Sequence, residues 1–130
     1  MKPKILIVDD EVLVRLLYQQ HIEKAGYQLL AASSAEEGLT IIRQQKPALV
    51  IMDVILTGAG GLAALRAIKA DNATQNIPVI VFTGATTEEH HATRQEAMAS
   101  GAAMFLTKPI SPAQLLAEIE RLSPAGDRTD

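Results

Sequence analysis

Short aliphatic runs recur along the chain, and the longer segments between them carry apolar residues at the spacing of a helix. The runs predict five β-strands, at residues 5–8, 28–32, 48–52, 78–82 and 103–107. Strands that alternate with helices are typical of a parallel sheet covered by helices on both faces. We therefore expect an α/β fold built on one five-stranded parallel sheet.

Capping residues mark the ends of several predicted helices. Ser34 and Glu37 form a capping box that should start the second helix, and Ser111 with Gln114 should start the last one. The second helix should end before the Lys-Pro pair at residues 46–47, because a residue that precedes proline is disfavoured in a helix.

The first and third helices are expected over residues 12–25 and 61–70. Glycine commonly ends a helix, and Gly26 follows the first one. Six residues of the first helix share one face and are expected to point towards the core: Val14, Leu17, Tyr18, His21, Ile22 and Ala25.

Length and composition predict one domain with an aliphatic core. The chain has 130 residues, of which 48% are hydrophobic, and this is enough to bury a substantial core. Only 3% of the residues are aromatic, so no platform for stacking nucleic-acid bases is expected. We expect the domain to span residues 1–123, with residues 124–130 as a C-terminal tail or the start of a linker.

Charge and residue content exclude several classes of protein. The formal net charge is -3 and no Lys/Arg cluster is present, so direct binding to nucleic acid is not expected. The chain has no cysteine, which excludes disulfides, thiolate catalysis and Cys-ligated zinc. No apolar run reaches the roughly 20 residues of a membrane span or the roughly 7 residues of a signal-peptide core. We expect a cytoplasmic protein that does not contact a membrane.

Polar side chains follow four of the predicted strands. Asp9 and Asp10 come after the first strand, Asp53 after the third, Thr83 after the fourth and Lys108 after the fifth. In doubly wound sheets, ligands bind beyond the carboxyl ends of the strands. Each of these residues alone would usually be a cap or turn residue, but the whole set predicts a binding site.

The residue types of this set suit phosphoryl chemistry. Carboxylates that lie close together repel one another unless a cation joins them, and hard oxygen ligands suit Mg²⁺, or Mn²⁺ in its place. An aspartate can act as a nucleophile towards phosphorus. A lysine can pair with the anionic group, and a threonine hydroxyl can donate a hydrogen bond to it.

Taken together, these residues resemble the receiver domain of two-component response regulators. The resemblance extends from Lys4 to about Leu122, and the residues that carry it, in chain order, are Asp9-Asp10, Asp53, Thr83-Gly84 and the stretch from Gly101 to Lys108-Pro109 around the fifth strand. It implies a flavodoxin-like, doubly wound (βα)5 fold with the strand order 2-1-3-4-5.

The resemblance implies a phosphoacceptor and a metal site. Asp53 would accept the phosphoryl group. Asp10, Asp53 and the backbone carbonyl of Ile55 would bind Mg²⁺ directly, and Asp9 would act through a metal-bound water. The phosphoryl donor would be a histidine kinase or a histidine phosphotransfer protein.

The resemblance also implies a conformational switch. Thr83 and Lys108 would hold the phosphoryl oxygens, and the Lys108-Pro109 peptide is usually cis in this family. Phe105 would be the switch aromatic, moving inward as Thr83 approaches the phosphoryl group. The signal would pass to an effector through the face formed by the fourth helix, the fifth strand and the fifth helix, and a homodimer through the fourth and fifth helices remains open.

Two other functions remain as alternatives. A phosphatase or phosphotransferase with an Asp nucleophile would need a second carboxylate two residues after Asp53, where this chain has Ile55. A nucleotide-binding module rests on a G-x-G-x-x-A match at residues 58–63, which starts several residues past the strand and faces acids that would repel pyrophosphate. We expect a signalling protein that catalyses its own phosphorylation and dephosphorylation, and not an enzyme acting on other substrates.

Three further residues lie close to the acids in sequence. Glu11 is expected to be dispensable, as an acid in the first turn of a helix that favours the helix dipole. Leu13 and Leu16 lie off the core face of the first helix. Isolated exposed leucines are common, but these two could also form an apolar lip for a docking kinase or phosphotransfer helix.

Overall fold

The computed structural model describes residues 2–53, 60–84 and 87–122. Within these residues strands and helices alternate strictly, and the predicted strand bounds are correct to within one residue. The elements are β1 (Lys4–Val8), α1 (Val12–Lys24), β2 (Gln28–Ala32), α2 (Ala35–Gln45), β3 (Leu49–Met52), α3 (Gly61–Ala70), β4 (Val79–Thr83), α4 (Thr87–Ala99), β5 (Met104–Thr107) and α5 (Pro112–Leu122).

The strands form one parallel sheet in the order β2-β1-β3-β4-β5, as the resemblance implies. β1 and β3 are neighbours in register, and Val8 at the end of β1 lies opposite Met52 at the end of β3. The backbone N–H of Asp53 donates to the carbonyl of Val8 at 3.0 Å, so the pairing continues one residue beyond the strands. This register brings Asp9 and Asp53 side by side.

The three central strands, β1, β3 and β4, are buried on both faces because their side chains alternate between two layers of helices. One core cluster joins Leu6, Val8 and Val50 of the sheet with residues of α2 and α3. The other joins Ile5, Ile7 and further strand residues with α1 and α5. Continuous runs of Ile, Val and Leu are therefore stable as strands here, since neither face meets water. Among the described residues, none of the helices has the length and apolar character needed to cross a bilayer.

The predicted core face of α1 is too wide. Tyr18 and Ile22 are buried and Val14 is half-buried, as expected, but Leu17 and His21 are exposed, and so is Ala25. The buried residues are four apart and form one stripe, whereas Leu17 and His21 lie about 100° further round the helix. α1 packs on the sheet and against α5, so its remaining sides face solvent.

The predicted caps of α2 and α5 are present. Ser34 Oγ accepts a hydrogen bond from the N–H of Glu37 at 3.1 Å, and Ser111 Oγ accepts one from the N–H of Gln114 at 3.1 Å. The carboxylate of Glu37 reaches back to the N–H and hydroxyl of Ser33, one residue earlier than a capping box requires. These two bonds lower the pKa of Glu37. The sequence Thr-Thr-Glu-Glu at residues 86–89 also predicts a capping box for the fourth helix, but residue 86 lies outside the described residues.

Candidate functional site

The carboxyl ends of the central strands bring the predicted acids together. One carboxylate oxygen from each of Asp9, Asp10 and Asp53 lies within 4.8 Å of the others. Asp9 is 1% exposed and Asp53 is 6% exposed, while Asp10 is exposed to solvent. Two nearly buried carboxylates beside a third are costly unless positive charge compensates them.

Lys108 supplies that positive charge. Its Nζ donates to Asp9 Oδ2 at 2.7 Å, to Asp53 Oδ2 at 2.9 Å and to Glu11 Oε1 at 3.0 Å. Burial by itself would lower the pKa of Lys108, but the hydrogen bonds with these carboxylates outweigh it and raise the pKa well above its ordinary value. Lys108 is therefore a permanent ammonium between the two buried aspartates.

β4 and β5 place Lys108 over the acids. The backbone N–H of Lys108 donates to the carbonyl of Thr83 at 2.8 Å, continuing the parallel pairing beyond β5. Thr83 itself is fully buried at the end of β4. The Lys108-Pro109 peptide is cis, as the resemblance implies. Nζ of Lys108 lies over the ring of Phe82, 5.5 Å from its centroid, so the ammonium also faces an aromatic ring.

Tyr18 of α1 supports the Phe82 ring and the segment that follows Lys108. Tyr18 meets Phe82 edge to face at a centroid distance of 5.7 Å, and the Tyr18 hydroxyl donates to the carbonyl of Ile110 at 2.7 Å. The bond ties α1 to the segment that follows Lys108. Burial raises the pKa of Tyr18, so the phenol stays protonated and continues to donate at neutral pH.

The acidic loop after β1 is held by its own hydrogen bonds. Asp9 Oδ1 accepts from the N–H of Glu11 at 2.9 Å, which folds the loop back on itself. The guanidinium of Arg15 donates to the backbone carbonyl of Asp9 at 2.8 Å. Asp9 is thus fixed through its side chain, its carbonyl and its N–H, which donates to the carbonyl of Ala32 at 3.0 Å.

The cluster fits a divalent cation of the Mg²⁺ type. All three aspartates offer carboxylate oxygens, the hard donors that Mg²⁺ prefers, and the exposed Asp10 leaves the site open to water, which Mg²⁺ retains in most protein sites. A cleft of about 230 Å³ opens at this edge of the sheet and is lined by Asp10, Glu11, Asp53, Gly84 and Lys108. The predicted metal ligand at Ile55 lies outside the described residues.

The other predicted residues differ in how close they lie to this cluster. Thr83 is brought to the same edge through its backbone bond to Lys108. Phe105 is half-buried in β5 and packs against the core on the α2 and α3 side of the sheet. Leu13 and Leu16 are 80% and 53% exposed, as predicted, and they continue into the exposed Val12 and Leu17.

Sequence reasoning missed two contacts in the site. It treated Glu11 as a bystander of the helix, yet the Glu11 carboxylate contacts Lys108, and its side chain makes no cap hydrogen bond. It also did not single out Arg15. Glu11 and Arg15 are four positions apart, which is about one turn of helix. This spacing is the signal that could have placed both side chains near the acidic loop.

Comparison with known proteins relates the chain to one family. A sequence-family model described as the response regulator receiver domain matches residues 5–120. The phosphate regulon transcriptional regulatory protein PhoB of Pseudomonas aeruginosa is 34% identical over 116 residues, which are 89% of this chain and 49% of that protein. Protein PilH of the same organism is 35% identical over 116 residues, or 93% of its length. The chain thus spans about half of the first relative and nearly all of the second.

A solved structure shares the fold over almost the whole chain. The chemotaxis response regulator CheY4 of Vibrio cholerae superposes with a TM-score of 0.84 at 27% sequence identity. The match covers 94% of this chain and 99% of that one.

Proposed function

The chain belongs to the response regulator receiver domain family, whose members serve as phosphoacceptors in two-component signalling, and from this membership we propose that its phosphoacceptor is Asp53. The proposal includes a phosphorylated histidine of a kinase or phosphotransfer protein as the donor. The observation that carries it is the Asp53 carboxylate, nearly buried, in contact with Lys108 and beside two further aspartates.

The bonds and electrons of the transfer balance between Asp53 and its donor. A carboxylate oxygen of Asp53 attacks the phosphorus of the phosphohistidine, so that an O–P bond forms as the N–P bond breaks. The electron pair of the N–P bond stays on the imidazole nitrogen. Hydrolysis reverses the modification, because water attacks the phosphorus, the O–P bond breaks, and the carboxylate and inorganic phosphate are released.

The other site residues bind the cation and the phosphoryl oxygens. Asp10 and Asp53 would hold the divalent cation, Asp9 would act through a bound water, and the carbonyl of Ile55 is a further ligand that the family resemblance implies. When bound, the cation neutralises charge that builds on the phosphoryl oxygens. Lys108 pairs with one of these oxygens through its ammonium. These roles make the domain a catalyst of its own phosphorylation and dephosphorylation.

The output is a population shift triggered at the same edge of the sheet. The Thr83 hydroxyl bonds to the phosphoryl group, and Phe105 moves inward into the space that Thr83 vacates. Phe105 lies in β5, and Lys108 directly follows the last residue of this strand. A change at the site therefore reaches the face of α4, β5 and α5. That face would contact the effector, in the cytoplasm.

Mass spectrometry of the intact protein tests the proposal. The protein is incubated with MgCl₂ and acetyl phosphate, a small acyl-phosphate donor whose leaving group is acetate. We expect the mass of one phosphoryl group to be added, to be lost on treatment with alkaline hydroxylamine, and to be absent without divalent cation.

Asp53→Asn should abolish this addition, because an amide is not a nucleophile towards phosphorus. The matched control is Asp71→Asn, since Asp71 lies after α3 at the opposite edge of the sheet and asparagine can keep its turn bond to the N–H of Ala73. Phosphorylation that persists in Asp53→Asn, or continuous turnover of the donor without a labile adduct, would contradict the proposal.

A further inference from the structure

Glu11 is the third partner of the Lys108 ammonium, and the proposed phosphoryl transfer does not use it. Its Oε1 lies 3.0 Å from Nζ. Glu11 occupies the N-cap position of α1, but its side chain makes no hydrogen bond to the helix. The carboxylate is therefore directed at Lys108, and not at the N–H groups that an acid in this position usually caps.

The present contacts use the whole donor capacity of Lys108. A lysine ammonium has three N–H donors, and the carboxylates of Asp9, Asp53 and Glu11 lie at 2.7, 2.9 and 3.0 Å. Phosphorylation converts the Asp53 carboxylate into an acyl phosphate, whose phosphoryl group takes over the N–H that Asp53 now uses and, with nearly two negative charges, needs a further donor from the same ammonium. Lys108 must then release Asp9 or Glu11.

Asp9 and Glu11 differ in what their release from Lys108 costs. The side chain of Asp9 is 1% exposed, whereas that of Glu11 is 61% exposed. A buried carboxylate that loses its cation is left without solvation, while an exposed carboxylate is rehydrated at once. Glu11 is therefore the partner that the phosphoryl group displaces.

We propose that Glu11 is a positioning residue that competes with the phosphoryl group for Lys108, and so slows phosphorylation and weakens the binding of phosphoryl-like anions. The inference rests on the proposed phosphorylation of Asp53. Glu11→Gln removes the charge and keeps the side-chain length, so its amide oxygen holds Lys108 more weakly than the carboxylate does. We expect the rate of phosphorylation to rise about two- to fivefold, the range that exposed ion pairs support.

Two measurements on the whole chain test the competition. The rate of Asp53 phosphorylation by acetyl phosphate and the Kd for beryllofluoride are measured at fixed MgCl₂ for the unsubstituted protein, Glu11→Gln and Glu23→Gln. Glu23 is an exposed acid at the far end of α1, so its variant has the same net charge. Glu11→Gln should react faster and bind more tightly, and Glu23→Gln should do neither. An unchanged Glu11→Gln, or an equal gain in Glu23→Gln, overturns the inference.

A double-mutant cycle separates competition from simple repulsion of the anion. If Glu11 acts through Lys108, Glu11→Gln lowers the Kd for beryllofluoride in the unsubstituted protein and leaves it unchanged in Lys108→Ala. An equal effect in both backgrounds means that Glu11 repels the anion directly, which overturns the inference and leaves the proposed function intact. A protein that forms no adduct on Asp53 refutes the proposed function together with the inference.

Discussion

The ammonium of Lys108 lies 2.7 Å from a carboxylate oxygen of Asp9 that is almost entirely shielded from water. These two residues are 99 positions apart in the chain, so the contact exists only when β1 and β5 are both in place in the sheet. Lys108 therefore offsets part of the repulsion between the buried carboxylates at this edge of the sheet. Removal of the lysine should therefore lower the free energy of unfolding, because the buried carboxylates lose their positively charged partner.

Lys108→Met should destabilise the fold and make it depend on divalent cations. Without the ammonium, the carboxylates of Asp9 and Asp53 repel each other, and water screens this repulsion little because both residues are nearly buried. We expect a loss on the order of 2 kcal/mol in the free energy of unfolding. MgCl₂ should recover more of this stability in the variant than it adds to the unsubstituted protein, because the ion replaces the missing charge. Urea unfolding with MgCl₂ or with EDTA measures both effects.

Lys24→Met is the matched control, since Lys24 is exposed in the last turn of α1. It should change the free energy of unfolding by no more than a few tenths of a kcal/mol, the size of an exposed helix-end interaction. A Lys108→Met variant that gains no more from MgCl₂ than Lys24→Met does would contradict the explanation.

Asp10→Asn should weaken Mg²⁺ binding by about tenfold or more, since the amide keeps the size of the side chain but removes one anionic donor. Calorimetric titration with MgCl₂ measures the change, and Asp71→Asn provides the comparison with equal net charge. Acetyl phosphate should still label Asp10→Asn at high MgCl₂ if the nucleophile is intact. Equal Mg²⁺ affinity in Asp10→Asn and Asp71→Asn would remove Asp10 from the metal site.

The sequence predicts the elements of this fold well because their signals are local. Short aliphatic runs place each strand within one residue, and caps such as Ser34 place the start of a helix. The strand order came from the family resemblance, since pairing between distant runs leaves no local pattern. The sequence predicts that Asp9, Asp53 and Lys108 lie at one edge of the sheet, because each follows a predicted strand. It does not predict which atoms form hydrogen bonds, because contacts between distant residues leave no local pattern.

The errors lie where side-chain direction decides the outcome. Glu11 looks like an ordinary helix-start acid, and only the bend of the loop after β1 turns its carboxylate towards Lys108. Leu17 and His21 fit the apolar face of α1 by period, but the helix has too few neighbours to cover them. A period identifies one side of a helix, and the packing partner determines how wide the buried stripe is.

Leu13→Gln and Leu16→Gln should reduce phosphotransfer from a phosphohistidine partner by about tenfold or more, the value of burying a leucine side chain at an interface. The two leucines are 80% and 53% exposed on α1, one turn after the acidic loop, and glutamine adds no charge there. The kinases and phosphotransfer proteins of the source genome, labelled with ATP, are the donors in the assay.

Labelling by acetyl phosphate separates docking from chemistry, because this donor is too small to need an apolar contact. It should proceed at an unchanged rate in both leucine variants. Met98→Gln, which alters an exposed apolar residue on α4, is the control for a general effect of the substitution. Unchanged transfer from every donor that labels the unsubstituted protein would show that the exposed leucines are ordinary surface residues.

Tyr18→Phe should cost about 1 kcal/mol of unfolding free energy at neutral pH, since it removes the hydrogen bond to the carbonyl of Ile110. Burial raises the pKa of Tyr18 above its ordinary 10.0, so folding favours the protonated phenol. The contribution of the hydroxyl is therefore complete below pH 10 and is lost as the pH rises through the raised value. Urea unfolding of both proteins from neutral to alkaline pH should show the difference between them shrinking only in that alkaline range. A difference that already disappears below pH 10 would mean that the Tyr18 phenol is not held in its protonated form by burial.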